Sequence, residues 1–535
     1  MTGKPNPLVQ QNLLDKAIAY VAPKVARQRM ADRAHLALGG GYTGARVDRA
    51  ALSRWLTTGG SATTDIIADL PALRARSRDQ MRNAPLALGA INTTVSHVVG
   101  TGLALTPAPS AALLGITDDE AAEWAANTKL RFDIWAESTD CDVARHLNFY
   151  GIQDLGFRTM LESGDAFVIT PRIARAGGVA RLALQLLEAD RVCNPNRGAN
   201  TLTLIDGIEI SEETGETVAV QVARQHPGDR QVQGNAWTRV AMRGDSTGRR
   251  NVLHLFKPLR PGQVRGVPLI APILEPLKQL AAWTDNELNA AVTSSLFSVF
   301  VKMDPDAFDQ LFDEDAQGAI VENAGRWSGK MESGQAVNLL PGESIETSSP
   351  GRPNPEFDPF WSAIVRQIGM ALDLPFEVLT MHFQSSYSAA RAALLMAWKT
   401  FRARRDMLAT YLCQPVYELW LSDEVAEGRI SAPGFFSSDV VRAAWCKAIW
   451  TGDGPGSIDP VKEVDAAQKR VDMGISTKDA ESILHDGVGW QAKHTQRVKE
   501  IKAEKADGIY LPPMGRAAPA TGPGPAADPP ATPEQ

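Results

Sequence analysis

Cysteine is scarce. Cys141, Cys193, Cys413 and Cys446 are the four in 535 residues, and they make neither a CxxC pair nor a disulfide framework, so a reducing compartment is expected. No run of about 18 apolar residues occurs, and the N-terminus carries no apolar stretch behind its charges, so the expectation is a soluble, unsecreted chain without membrane contact. A basic excess is missing as well: 55 Lys and Arg stand against 62 Asp and Glu, a formal charge of −7, which speaks against coating nucleic acid by phosphate neutralisation. Nor is there an HExxH, a Walker A loop or a two-pair zinc spacing, and the eight histidines are scattered. No metal, no cofactor and no ATPase of its own is therefore expected.

What is present is ordinary in amount: 44% hydrophobic and 22% charged residues describe a globular chain. Its length corresponds to roughly three to four domains. Charge is uneven, with 13 of the basic and 6 of the acidic residues in the first hundred positions, so a basic start precedes an acidic body. Residues 1–35 read as a basic, helix-prone peripheral segment broken by Pro23 and ended by Gly39–Gly41. A helix capped near Thr63–Asp65 is expected to run on to about Val98 with Arg74, Arg76, Arg78 and Arg82 on its flanks, a pattern that reads as a solvated face.

Residues 121–138 have helical periodicity, whereas 165–173, 181–192, 206–224 and 251–259 alternate or carry β-branched runs between Gly and Asn turns. The mixture is an α+β unit without the regular interleaving of a dinucleotide-binding sheet. Beyond Arg260-Pro261-Gly262-Gln263, apolar positions Ile270, Leu274, Leu277, Ala281, Leu288 and Val292 predict a helix of roughly 30 residues, about 45 Å long. An acidic insert follows, then a helix over 355–374 closed by Pro375, a loop over 376–388, and a long helix with Pro415 inside its stripe, where a kink or break is expected. Eight of the 34 prolines lie beyond Leu511, so the tail reads as disordered or polyproline-like.

Three motifs invite a chemical reading. Gly244–Gly248 matches GxSxG, but Arg249, Arg250 and a new strand follow Ser246 where a nucleophile elbow needs a helix, so a hairpin turn is expected and a serine hydrolase is the weaker alternative. The run Asp304, Asp306, Asp309, Asp313, Glu314 and Asp315 fails the EF-hand spacing and reads as a solvated or partner-docking face. Trp283, Trp361 and Trp398 sit on helical segments, where core or subunit-interface packing is the ordinary account.

The order of hairpins, RPGQVRGVP, long helix, insert, helix, loop and helix resembles the portal proteins of lambda-family tailed bacteriophages. The resemblance is carried by residues 75–107, ESGDAFV (162–168), DGIE (206–209), HLFKPLRPGQVRGVPLIAPIL (254–274) and SSYSAARAALLMAWKTFRARR (385–405), and it covers about residues 70–430. It implies an α+β, helix-rich, elongated multi-domain portal fold (wing, stem, clip, crown) assembling into a ring, non-enzymatic and usually of twelve identical subunits.

In that scheme 1–69 is a basic peripheral segment, 70–265 the wing, 266–300 and 353–375 the stem helices, 301–352 the clip, 376–388 the tunnel loop, 389–430 the kinked wing helix, 431–504 the crown and 505–535 a disordered tail. The resemblance further implies a double-stranded DNA channel at one capsid vertex for packaging and ejection, located in the virion after assembly in the host cytoplasm. Expected partners are the terminase large subunit, the head–tail adaptor, the scaffold and the major capsid protein. Tunnel-loop residues His382, Gln384, Ser385, Ser386 and Tyr387 carry no Lys or Arg, which suits weak contact with moving DNA. The acidic run would be the clip's partner surface, and Trp398, Arg402, Arg404 and Arg405 would serve the subunit interface, the arginines by pairing with a neighbour's carboxylates. A DNA-binding assembly factor without a pore is the remaining alternative.

Overall fold

In the computed structural model the described residues are 59–229, 236–295, 299–303, 343–347, 354–383, 386–455 and 460–510, with isolated positions between 18 and 57. The acidic run 304–315, Gln384, Ser385 and the tail beyond Tyr510 lie outside them. The chain forms two units, 1–65 and 66–535. No helix among the described residues is long and apolar enough to cross a membrane.

The expected helix from Thr63 to Val98 is three: Ala62–Ile67, α1 (Leu70–Asn83) and α2 (Pro85–Val98). Proline explains the breaks. Pro71 and Pro85 occupy first turns, where a missing N–H is not needed, and Ala84 between α1 and α2 is extended. Strand β1 (Ala104–Pro107) leads to α3 (Asp118–Glu137), started by a capping box in which Thr117 and Glu120 exchange hydrogen bonds. Next come α4 (Phe149–Ser163) and two antiparallel sheets. One has β2 (Asp165–Ile169) between β3 (Gln185–Glu188) and β8 (Val252–Phe256). The other is a meander of β4 (Leu204–Ile205), β5 (Ile208–Ile210), β6 (Thr217–Ala223) and β7 (Trp237–Ala241).

Helix α5 spans Leu274–Ser295, 22 residues and about 33 Å, shorter than expected because Pro268 and Pro272 hold residues before it in turns and one 3-10 turn. Strands β9 (Val299–Met303) and β10 (Glu343–Thr347) pair antiparallel and close the base of the insert. Helix α6 (Phe357–Leu372), a single turn α7 (Phe376–Thr380) inside the expected loop, and α8 (Tyr387–Leu408) follow. At Pro415 the helix does not break: one π-helical turn, Ala409–Cys413, carries α8 into α9 (Gln414–Ala426), taking up the proline that cannot donate to the preceding turn. Then come α10 (Asp439–Trp445), β11 (Ala448–Thr451), α11 (Pro460–Asp472), α12 (Lys478–Asp486) and α13 (Trp490–Ala506).

The main core is aromatic and is assembled from distant parts of the chain. Phe132 of α3 has the rings of Trp135, Phe149, Tyr417, Trp420 and Trp450 within 6.0 Å of its centroid. Strand β11 pairs antiparallel with β1, Ala104 opposite Thr451, so residues 439–451, expected among crown helices, complete the core of the α+β unit. Around the end of α9, Asp423, Glu424 and Glu427 face Arg131, Arg172, Arg181 and Arg429 and tie the helix to its surroundings. The four cysteines are free, and burial pushes the Cys141 and Cys446 thiols up to about 12, which makes them unreactive.

None of the described residues of α11, α12 and α13 is buried. A chain ending at Pro455 should therefore lose only the far-UV ellipticity of these three helices and keep its melting temperature to within about 3 °C. Trp420→Ala, which empties the aromatic core, costs about 3–5 kcal/mol by urea titration.

Candidate functional site

The segment RPGQVRGVP turns the chain out of the sheets and into α5. Gln263 shapes it: its Oε1 accepts from the Leu259 and Arg260 N–H groups and its Nε2 donates to Arg265 O. Arg265, fully buried, points back into the sheets. Its Nε donates to Asp165 Oδ2 at 2.6 Å, Nη1 to Val192 O, Asp206 O and Asp206 Oδ2 at 2.6–2.9 Å, and Nη2 to Ala189 O at 2.8 Å. Every nitrogen of the guanidinium has an acceptor, which a buried cation requires.

Asp165, at the start of β2, is equally enclosed. It also accepts from Arg74 Nη2 at 2.9 Å, from Gly266 N–H at 3.2 Å and from His254 Nε2 at 3.3 Å. Arg78 pairs with Asp190 beside this node, with Glu162 at its rim. The expected solvated arginine face is thus corrected for two of its four members. Helix α1 lies against the C-terminal end of α4, where Ser77 Oγ donates to Glu162 O and Arg74 Nε to Ser163 O, while Arg76 and Arg82 remain exposed. Sequence reading singled out neither Asp165, His254 nor Arg265.

Two glycines let the turn come this close. Gly164 has φ +92°, and a Cβ on Gly266 would lie 1.9 Å from Gly164 O, so the two backbones touch with no room for a side chain. Leu269 N–H then donates to Leu161 O at 2.9 Å and fixes the start of α5 on α4.

The charges decide protonation. Burial opposes ionisation of Asp165, but Arg265 and Arg74 outweigh it and hold the carboxyl well below the usual range. Burial pushes His254, stacked between Phe167 and Phe256, below its ordinary value, and the attraction of Asp165 does not make up for it. Three arginines already face Asp165, Asp190, Asp206 and Glu162, and a proton on the largely enclosed His254 side chain would be a further positive charge there.

Further along, α5 and α6 pair through Trp283 stacked on Phe357 at 4.8 Å and Asn354 Nδ2 donating to Glu287 Oε1 at 2.9 Å. Trp361 meets Phe376 edge-on and Trp398 meets Phe401 likewise. Of the expected apolar stripe, Ile270, Leu274 and Leu277 are buried, whereas Ala281, Leu288 and Val292 are exposed. Between α7 and α8 the chain emerges at Met381, with φ +54°, and passes His382 and Phe383 before the undescribed pair. Met381, His382, Phe383 and Ser386 are exposed, and Tyr387 opens α8. Met381 and Phe383 add apolar surface that the sequence reading left out.

Arg404 and Arg405 are placed otherwise than expected. Arg404 is buried and donates to Leu372 O, the last residue of α6, at 2.9 Å. Arg405 donates to His97 O and Val98 O at the end of α2, and to Asp453 O, with Trp398 under its guanidinium at 5.2 Å. Each arginine caps the C-terminus of a neighbouring helix in its own chain, where free carbonyls and the helix dipole favour a cation. Arg402 is exposed. Gly244–Gly248 is a hairpin tip: Gly244 N–H donates to Arg249 O and Gly248 N–H to Gly244 O, and Ser246 is exposed with no histidine bonded to it among the described residues. No cluster of metal-ligating side chains occurs among the described residues either.

Both Asp165 and His254 resist protonation in the folded chain, so the unfolded chain takes up more protons in acid. The node's contribution is complete above pH 6.5, the ordinary histidine value, and is lost as pH falls below it, and further below 3.8. His254→Gln should flatten the first part of that fall in a melting-temperature profile and leave the part below pH 4. Gly266→Ala should cost about 3 kcal/mol or more in urea titration, since backbone must move.

A family model described as phage portal protein, lambda family, matches residues 48–405. Portal protein B of Escherichia phage lambda is 25% identical over 486 residues, 87% of this chain and 90% of that one. The portal protein of Escherichia phage N15 is 25% identical over 500 residues, 90% and 92% of the two chains. Among solved structures, a chain from the neck of an empty gene transfer agent particle aligns with 16% identity and a TM-score of 0.39, over 69% of this chain and 93% of that one. The matched family span contains the charge node, the α5–α6 pair and the loop before α8, and the chain belongs to the lambda family of phage portal proteins.

Proposed function

We propose that the chain works as a ring, of twelve copies, at one vertex of the capsid, through which double-stranded DNA is packaged and later ejected. The terminase large subunit docks first and the head–tail adaptor afterwards, both at the clip, whose acidic residues Asp304, Asp306, Asp309, Asp313, Glu314 and Asp315 form the meeting surface. The ring assembles in the host cytoplasm with the scaffold and the major capsid protein, and it remains in the virion as a structural, non-enzymatic part. Family membership supports this reading most directly.

The observation that carries it is the pairing of α5 with α6 and the exposed loop that follows α7. Along that pair Leu288, Val292, Phe360 and Met370 are exposed. In a ring each copy presents two different faces to its neighbours, and residues of this kind are what such faces bury. The loop 376–388 holds no Lys or Arg, so where it narrows the channel it meets phosphates without ion pairs, and DNA slides with little salt-dependent drag. His382, Gln384, Ser385, Ser386 and Tyr387 are the loop's channel residues, with Met381 and Phe383 beside them. Arg402 and Trp398 remain the candidates for contact between copies.

Electron microscopy of the purified chain should show rings with a central hole wide enough for a duplex, whereas a monomer or dimer would favour an assembly factor without a pore. Replacing Gln384 and Ser385 by arginine adds two phosphate-pairing cations per copy. Rings should remain intact while the yield of DNA-filled heads falls, and an unchanged yield would contradict the channel role of the loop.

A further inference from the structure

Helices α11, α12 and α13 make a module that is well satisfied in its polar groups and poorly satisfied in its apolar ones. Arg470 of α11 is bidentate to Glu481 of α12, Nε to Oε1 at 2.8 Å and Nη2 to Oε2 at 2.6 Å. Lys493 pairs with Asp486 at 2.6 Å, and Arg497 with Glu500 and Glu504. Thr477 caps α12, and Asp479 accepts from Trp490 N–H at the start of α13. The module joins the rest through Arg391 to Glu463 at 3.5 Å and a close approach of the Gly452 and Gly487 backbones.

Against this, Val461, Val464, Met473 and Ile475 are 60–74% exposed. Val461, Val464, Gln468 and Val471 fall at three- and four-residue steps along α11, the spacing of a face that another helix can cover, and Met473 and Ile475 lie in the turn just beyond it. A helix with such a stripe and no buried residue gains little from its own chain.

Charge indicates what covers it. Residues 460–486 hold four Lys and Arg against six Asp and Glu, and 490–506 hold five against two. The first two helices of the module are thus net acidic and the last net basic, an imbalance that suits head-to-tail contact between identical copies. Resting on the ring reading above, we infer that the α11 face of one copy packs against the α13 face of the next, so that this module forms a continuous seam around the ring. Val464 meets the apolar side of α13 near Val498, with Lys499 and Lys502 facing the acidic side of the neighbour. Duplex DNA as the partner of the basic face is the competing occupant.

The test is cysteine cross-linking in the full-length assembled chain. Val464→Cys combined with Val498→Cys, treated with a short bismaleimide, should give a ladder of oligomers up to the complete ring, and each single variant should give none. Val461→Asp with Val464→Asp should weaken the rings while leaving the circular dichroism of the chain unchanged, because neither residue is buried. Lys499→Glu with Lys502→Glu should reduce the ladder at low salt in the absence of DNA.

Rings visible by electron microscopy but no ladder from the double cysteine variant would overturn the seam and leave the ring reading standing. Absence of rings from the unsubstituted chain would overturn both. A mobility shift of short duplex DNA that the lysine reversals abolish, with the ladder unchanged, would assign the basic face to DNA and also overturn the seam.

Discussion

The contact between Arg265 and Asp165 is what joins the sheets to the long helices. The two residues are 100 positions apart, both enclosed, and each is held by further partners contributed by other segments. A buried pair of this sort is a poor source of net stability, since desolvation offsets much of the attraction, but losing one partner strands the other. Its effect is therefore on geometry. The turn before α5 has one seat, set by the guanidinium below it, the Gly164–Gly266 contact beside it and the Leu269 to Leu161 hydrogen bond after it. In a ring, where every copy must present α5 at the same angle, a fixed exit from the sheets is worth more than a fraction of a kcal/mol of burial.

Other cations serve the same end by capping. Arg404 holds the end of α6 and Arg405 the end of α2, so α8 leads from the exposed loop back into the body of the chain with its direction pinned by two neighbouring helix termini. The π turn then carries the helix past Pro415 into the aromatic core around Phe132. From loop to core the path is one nearly continuous helix. None of the described residues of the helices α11 to α13 is buried, and apolar side chains are left exposed there and on the far half of α5.

Much of this order was legible in the sequence. The helices over 121–138 and 355–374, the hairpins and the turn at Gly244–Gly248 follow from periodicity and turn residues, and the resemblance led to the right family. The node was not legible as a node, although four of the stretches that carry the resemblance meet there, through Arg78, Asp165, Asp206, His254 and Arg265. Local pattern gives an arginine no sign of a carboxylate 91 residues away, so Arg74 and Arg78 read as solvent-facing. Helix α4 went unrecognised because Gly151 and Gly156 lower its propensity. Gly156 itself sits under Leu186, Leu255 and Leu412, at distances where a Cβ would make ordinary contacts. The pairing of β1 with β11 joins two four-residue strands from opposite ends of the chain and has no local signal at all. The acidic run and the middle of the loop fall outside the described residues, so their roles rest on sequence.

The account turns on Arg265 and Asp165 acting as a coupled pair. A double-mutant cycle reads this directly: urea titrations of the unassembled chain for Asp165→Asn, Arg265→Met and the two together. The account predicts that each single change costs about 3–5 kcal/mol and that the double change costs well under the total, a coupling of about 2 kcal/mol or more. Additive costs within about 0.5 kcal/mol would mean that the two residues act independently, and would contradict it.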